Sequence, residues 1–360
     1  MCMRRVATDW EFIRVYERNN LGYLPTPLRM LLLSNIAVYG PEDGIGFDGL
    51  KTVIVSPEDR ENQETPEEDN YGFYRLDLSG SVGRSVSLKQ LIELVENPVQ
   101  QSVADTETWE DSLMAPLAPR IPYLTHLSLS HPQSSISWPR LLQFSKYVLT
   151  LTHLSLAYWP VPSLTPNSMA TMVSSKYGKD VQYGGTNYYS HSLDNDFREA
   201  ASILRRLAST LYGLEYLDVT GCTEWVRALC WKGDGELGVE WGNQWLKLKE
   251  LNVRSGIELS ERSEFWEVAR YVVAVKEVSL VRLMLSKERR GIGKGGGWID
   301  ITRDDFRDYE KLWKGETGEE KARNRRHLDS LGSWKSKEEF FHDTVLANDD
   351  TAFARSVWDQ

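Results

Sequence analysis

His191 and Asp196, in the stretch HSLDND at 191–196, have the types and spacing that acid–base chemistry uses. An imidazole acts as a general base when a carboxylate holds its ring N–H, and one turn of chain would bring Asp196 to His191. Asp196 also fits a structural role: with Glu199 three residues later it makes a capping box for a helix beginning at 197. A second set of reactive types comes from the hexapeptide LTHLSL, which occurs at 124–129 and again at 151–156 and sets His126, Ser128, His153 and Ser155 at matching positions. Together with Asp218 these are the components of a hydrolytic triad. A triad needs base and nucleophile in contact beside an oxyanion site, whereas equivalent strands laid side by side align histidine with histidine and serine with serine. Two adjacent histidines offer a metal two ligands, and no third is identifiable. Gly291, Gly293 and Gly295 to Gly297 imitate a phosphate loop, but Lys294 is followed by Gly295 instead of Ser or Thr, so the run reads as a linker.

The elements that position these residues are repeated. The pattern L-x-x-L-x-L recurs at Leu28/Leu31/Leu33, Phe73/Leu76/Leu78, Leu124/Leu127/Leu129, Leu151/Leu154/Leu156, Leu214/Leu217/Val219, Leu248/Leu251/Val253 and Val275/Val278/Leu280. Between these runs, 46–55, 87–96, 137–148, 196–211 and 263–275 carry apolar residues at helical spacing. Short strands alternating with helices imply a parallel sheet covered by helices, and repetition of the unit implies an α/β solenoid with one continuous leucine core. Alternation then turns Arg75/Asp77, His126/Ser128, His153/Ser155, Tyr216/Asp218, Glu250/Asn252 and Glu277/Ser279 outward. The starts of the units are 45, 51, 27, 63, 34 and 27 residues apart, so several units carry insertions. Two of these, 57–69 and 104–111, are acidic and polar, bury too little apolar surface to order themselves firmly, and read as mobile loops. A third, 176–196, is rich in Tyr, Gly and Asn, a composition that serves either recognition or the covering of a core.

With these units and the LDVTGC stretch at 217–222, residues 25–285 resemble the leucine-rich-repeat family, in its helix-containing, cysteine-containing form. The resemblance implies a curved parallel sheet with outer helices and a function in protein interaction without chemistry. Around it the chain divides into an N-terminal cap at 1–24, a Gly-rich linker at 286–300 and a charged helical cap or tail at 301–360. Two narrower resemblances stand beside it. LGYLPTPLRMLLLSNI at 21–36 is similar to the opening of an F-box, which implies a substrate adaptor of a ubiquitin ligase. HSLDND is similar to the H-x4-D motif of tafazzin-type acyltransferases, which implies His191 as base and Asp196 as the acid that orients it; the family's phosphate-binding Glu-Gly stretch is missing.

Charge and cysteine content narrow the partner. A net charge of −10 and a pI near 5.3 disfavour nucleic acid and anionic membrane, and RNRR at 323–326 is too short to reverse that. No apolar run reaches the length of a membrane span, MCMRRVATDWEF lacks the apolar core of a secretory signal, and three cysteines make no disulfide framework. The expected protein is therefore intracellular, cytoplasmic or nuclear. It is a non-enzymatic scaffold or adaptor without a cofactor, and its partner is a protein with a basic surface. The expected contact is Tyr188, Tyr189, Tyr216, Asp218 and Glu250, because the later strands carry the aromatic and acidic outward residues. Thirteen tryptophans belong either in the core or on that face.

Overall fold

A computed structural model of the protein describes residues 2–54, 72–95, 121–164, 171–175, 178–183, 197–232, 238–258, 265–291 and 299–302. The acidic stretches 57–69 and 104–111, and the expected helices after 302, lie outside them. The N-terminal part is helical: α1 (Cys2–Thr8), α2 (Trp10–Tyr16), a 3-10 turn at Leu21–Tyr23, α3 (Thr26–Tyr39) and α4 (Phe47–Ile54). There α3 packs against both α1 and the first strand, and the buried Arg29 of α3 donates to the carbonyl of Val53 (3.2 Å), tying α3 to the last turn of α4.

Strand and helix then alternate: β1 (Arg75–Asp77), α5 (Leu88–Val95), β2 (His126–Ser128), α6 (Trp138–Ser145) and β3 (His153–Ser155). A separate antiparallel pair, β4 (Thr171–Ser175) and β5 (Gly178–Tyr183), comes next. The series resumes with α7 (Arg198–Thr210), β6 (Tyr216–Asp218), a 3-10 turn at Val226–Cys230, β7 (Glu250–Asn252), α8 (Phe265–Gly291) and β8 (Asp300–Thr302). The six strands other than β4 and β5 form one parallel sheet in chain order. Among the described residues no helix is long and apolar enough to cross a membrane.

Register explains the core. Leu76, Leu127, Leu154, Leu217, Leu251 and Ile301 are paired across the sheet, and all are buried. Behind them α5 packs on α6, α6 on α7, α7 on the second 3-10 turn, and that turn on α8, so the helical layer advances in step with the strands. Trp10, Trp138, Trp159, Trp225, Trp241 and Trp245 are buried in the same core, which places these tryptophans inside the protein instead of on the sheet's outer face.

Two of the seven leucine runs are not strands. Leu28, Leu31 and Leu33 lie in α3, where Leu28 and Leu31 are exposed and the buried apolar set is Met30, Leu32, Leu33 and Ile36. A spacing of three suits a helix as well as a strand unit, and TPLRMLLLSNIAVY has proline in the first turn, where a helix tolerates it, and few β-branched residues. Val275, Val278 and Leu280 lie in α8, whose buried Tyr271, Ala274, Val275, Val278, Val281 and Leu285 keep to the helical period. Glu277 is therefore an ion-pair partner of Arg227 on the helical layer, and Ser279 shares its helix; neither belongs to the sheet. The sixth strand is β8 instead. The helix continues to Gly291, into the stretch read as linker, and Ile299 and Ile301 carry the chain back into the core.

Candidate interaction face

The outward side of the sheet carries two rows of side chains. The first runs Arg75, His126, His153, Tyr216, Glu250 and Asp300; the second runs Asp77, Ser128, Ser155, Asp218 and Asn252. From Asp77 to Asn252 the residues of the two rows are half-buried, apart from the exposed Glu250. Among the described residues no helix covers this face, because α5 to α8 pack behind the leucines.

In the first row identical register makes a stack. The rings of His126 and His153 are 4.0 Å apart and 13° from parallel, and Tyr216 continues the stack at 5.7 Å and 20°. Tyr74 meets His126 edge-on at 6.1 Å. Each imidazole is oriented by the preceding threonine: Thr125 Oγ1 lies 2.8 Å from His126 Nδ1, and Thr152 Oγ1 lies 2.8 Å from His153 Nδ1. Burial lowers the pKa of His126 below its ordinary value, and the neighbouring His153 and Arg75 add to the effect. Burial also raises the phenol of Tyr216, reinforced by Asp218, while a side-chain hydrogen bond from Asn252 acts the other way.

The second row is tied down by hydroxyls. Asp218 accepts from Ser155 Oγ (2.8 Å), Thr220 N (3.0 Å) and Thr220 Oγ1 (2.7 Å). Asp77 accepts from Ser79 N (3.2 Å) and Ser79 Oγ (2.6 Å), and Ser79 in turn meets Ser128 and Ser130, each at 2.8 Å. Ser155 thus gives its proton to a carboxylate, and the Nδ1 atoms of the two histidines face threonines. Stacked planes also hold the imidazole nitrogens side by side, so they do not converge on one point. Among the described residues no three His, Cys, Asp or Glu side chains cluster as metal ligands.

Just past the strands a further column fixes the edge of the face. Gly80, His131, Tyr158 and Gly221 each stand two residues beyond the last buried strand position, and all have left-handed φ between 53° and 77°. Their N–H groups extend the ladder, donating to the carbonyls of Ser130, Ala157, Thr220 and Arg254. The two that are not glycine stack on one another, His131 on Tyr158 at 4.1 Å, and the Tyr158 hydroxyl donates to Gly256 O at 2.9 Å. Inside this column, Trp159 donates Nε1–H to Leu129 O (2.7 Å) and Cys222 donates from Sγ to Leu156 O (3.3 Å). Both residues stand three past a last buried strand position and reach the equivalent carbonyl of the unit before. Burial pushes the Cys222 thiol above its ordinary range, so it serves here as a neutral donor.

Of the expected contact residues, the fold brings Tyr216, Asp218 and Glu250 together on β6 and β7. Tyr188, Tyr189, His191 and Asp196 lie outside the described residues. The described start of the Tyr-rich insertion is the β5 strand, and α7 has Phe197 as its N-cap without a side-chain cap bond. Glu199 instead accepts from Ser163 Oγ at 3.2 Å and from Leu164 N. Sequence reasoning missed Asp300, His131 and Tyr158. Asp300 was signalled by the alternation Ile299-Asp300-Ile301; the other two were signalled only by their equivalence to Gly80 and Gly221.

Comparison with known proteins leaves this geometry to stand alone: no family model, no curated protein and no solved structure matches the chain.

Proposed function

We propose that the chain is a leucine-rich-repeat-like α/β solenoid acting as an intracellular, non-enzymatic scaffold or adaptor. Its outward sheet face binds a partner protein. The observation that carries this reading is the unbroken in-register row from Arg75 to Asp300, a polar and aromatic surface spanning six strands. Extended faces of this kind suit macromolecular contact, whereas small ligands are bound in concave pockets. The carboxylates of Glu250 and Asp300 at the β7 and β8 end favour a basic partner surface and raise its association rate. The test is affinity capture from an extract of the source cells with quantitative mass spectrometry, comparing the wild type with Tyr216→Ala/Glu250→Lys. Loss of the enriched protein in the variant supports the reading. Equal capture would move the contact to the helical layer or to residues after 302.

A second reading, an adaptor of a ubiquitin ligase, is favoured by one feature. LPTPLRML lies at the start of α3, and that helix exposes Leu28, Leu31 and Val38 along one face. A pull-down with the ligase's linker subunit tests it, and absence of binding removes this version while leaving the scaffold reading intact.

A further inference from the structure

The ring stack on the sheet stops at Tyr216, and the next register position holds a carboxylate instead of a ring. One face of Tyr216 is turned to His153; the other is turned toward β7, where its register partner is the exposed Glu250, succeeded on β8 by the exposed Asp300. Strands lie about 4.8 Å apart, close to the spacing at which planar groups stack, so the next place in the stack lies over Glu250. Among the described residues no ring or guanidinium stacks on that face, and neither Glu250 nor Asp300 has an ion-pair partner. Like charges directly opposite one another on neighbouring strands destabilise a sheet, so this pair is a local cost that a bound cation removes. Arg254, the described cation that acts on the phenol, is exposed and stands on the outgoing turn beyond Asn252.

We propose, resting on the interaction-face reading, that this place is a slot for an arginine side chain of the partner. The guanidinium plane continues the stack His126, His153, Tyr216, and its N–H fork donates to the carboxylates of Glu250 and Asp300. Arginine fits on both counts, since it is planar and permanently charged with donors in a fixed fork. Lysine has the charge without the plane, and citrulline has the plane without the charge.

The three are distinguished by titrating the 15N-labelled full chain with acetylated, amidated tripeptides Ala-Arg-Ala, Ala-Lys-Ala and Ala-citrulline-Ala, monitoring backbone amides by NMR. The arginine peptide is expected to shift Tyr216, Glu250 and Asp300 saturably, at least about five-fold more tightly than either of the others. Glu250→Gln and Tyr216→Ala should each abolish that preference. Tyr216→Phe, which keeps the ring, should retain it and serves where the alanine variant fails to fold. Equal binding of the lysine peptide, or arginine shifts confined to other amides, would overturn the slot. If partner capture still depends on Tyr216 and Glu250 while the arginine preference is missing, the slot falls and the interaction face stands. If both are missing, the face reading falls as well.

Discussion

The imidazole of His126 lies flat on that of His153, 4.0 Å away, because two copies of the same hexapeptide are paired in register. The groups facing this pair are Arg75 and Tyr74 on one side and Tyr216 and Glu215 on the other. A charge on His126 is disfavoured by burial first, then by His153 and Arg75, so its folded pKa lies below 6.5. As pH falls, the unfolded chain takes up this proton before the folded one. The contribution is therefore complete above the unfolded value and is lost as pH drops from there toward the folded value. His131 is lowered in the same direction, by burial and then Arg84, against an opposing pull from Asp218. The Tm should fall between about pH 7.5 and about pH 5.5, and His126→Asn should make that fall shallower. Parallel pH profiles for wild type and variant would show that the stack does not resist protonation.

Burial separates leucines that the pattern L-x-x-L-x-L treats alike. Leu154 is 1% exposed and in the middle of the sheet, whereas Leu31 is 48% exposed on α3. Leu154→Ala should cost about 2–5 kcal/mol in denaturant unfolding, the range for large-to-small core changes. Leu31→Ala should stay within about 0.5 kcal/mol, as for surface substitutions away from special features. Similar losses at the two sites would contradict the helical placement of 26–39.

Trp159 joins successive units through one hydrogen bond as well as through packing. Its Nε1–H donation to Leu129 O is buried, so Trp159→Phe removes the donor and leaves a carbonyl unsatisfied. The loss from that bond should be about 1–3 kcal/mol by chemical denaturation, with a further loss from the smaller ring. A stability change near zero would mean that water or another donor replaces the indole.

At Gly221 backbone and neighbour agree in excluding a side chain. Its φ is 77°, and an added Cβ would meet Tyr158 Cδ1 at 2.5 Å. Gly221→Ala should cost more than about 1 kcal/mol from the left-handed conformation alone and should displace Tyr158 from His131. A variant as stable as the wild type, with unchanged ring shifts for Tyr158, would contradict this turn geometry.

These positions show where the sequence is readable. In the five central strand units, a leucine followed two residues later by leucine or valine marks the buried row, and the residues flanking that leucine mark Tyr216, Asp218 and Glu250 as outward. The spacing misleads at 28–33 and 275–280 because residues three apart share a helix face as readily as they fit a strand unit; longer runs of helix-forming residues decide those cases. Asp300 is hard to find because its strand has three residues, contains no leucine and comes after a glycine run. Stacking of His126 on His153 is foreseeable from the repeat, but the end of the stack at Tyr216 depends on register across β6 and β7. His131 and Tyr158 escape notice because ring packing and ladder hydrogen bonds hold them in a conformation that usually signals glycine.

Hydroxyl-radical footprinting of the full chain, with and without the captured partner, tests the interaction face most directly because histidine and tyrosine side chains report their own exposure. The account predicts that partner binding protects His126, His153 and Tyr216, while Phe12, Tyr16 and Tyr212, exposed elsewhere, keep their reactivity. Protection confined to Phe12, Tyr16 and Tyr212, with His126, His153 and Tyr216 unchanged, would contradict it.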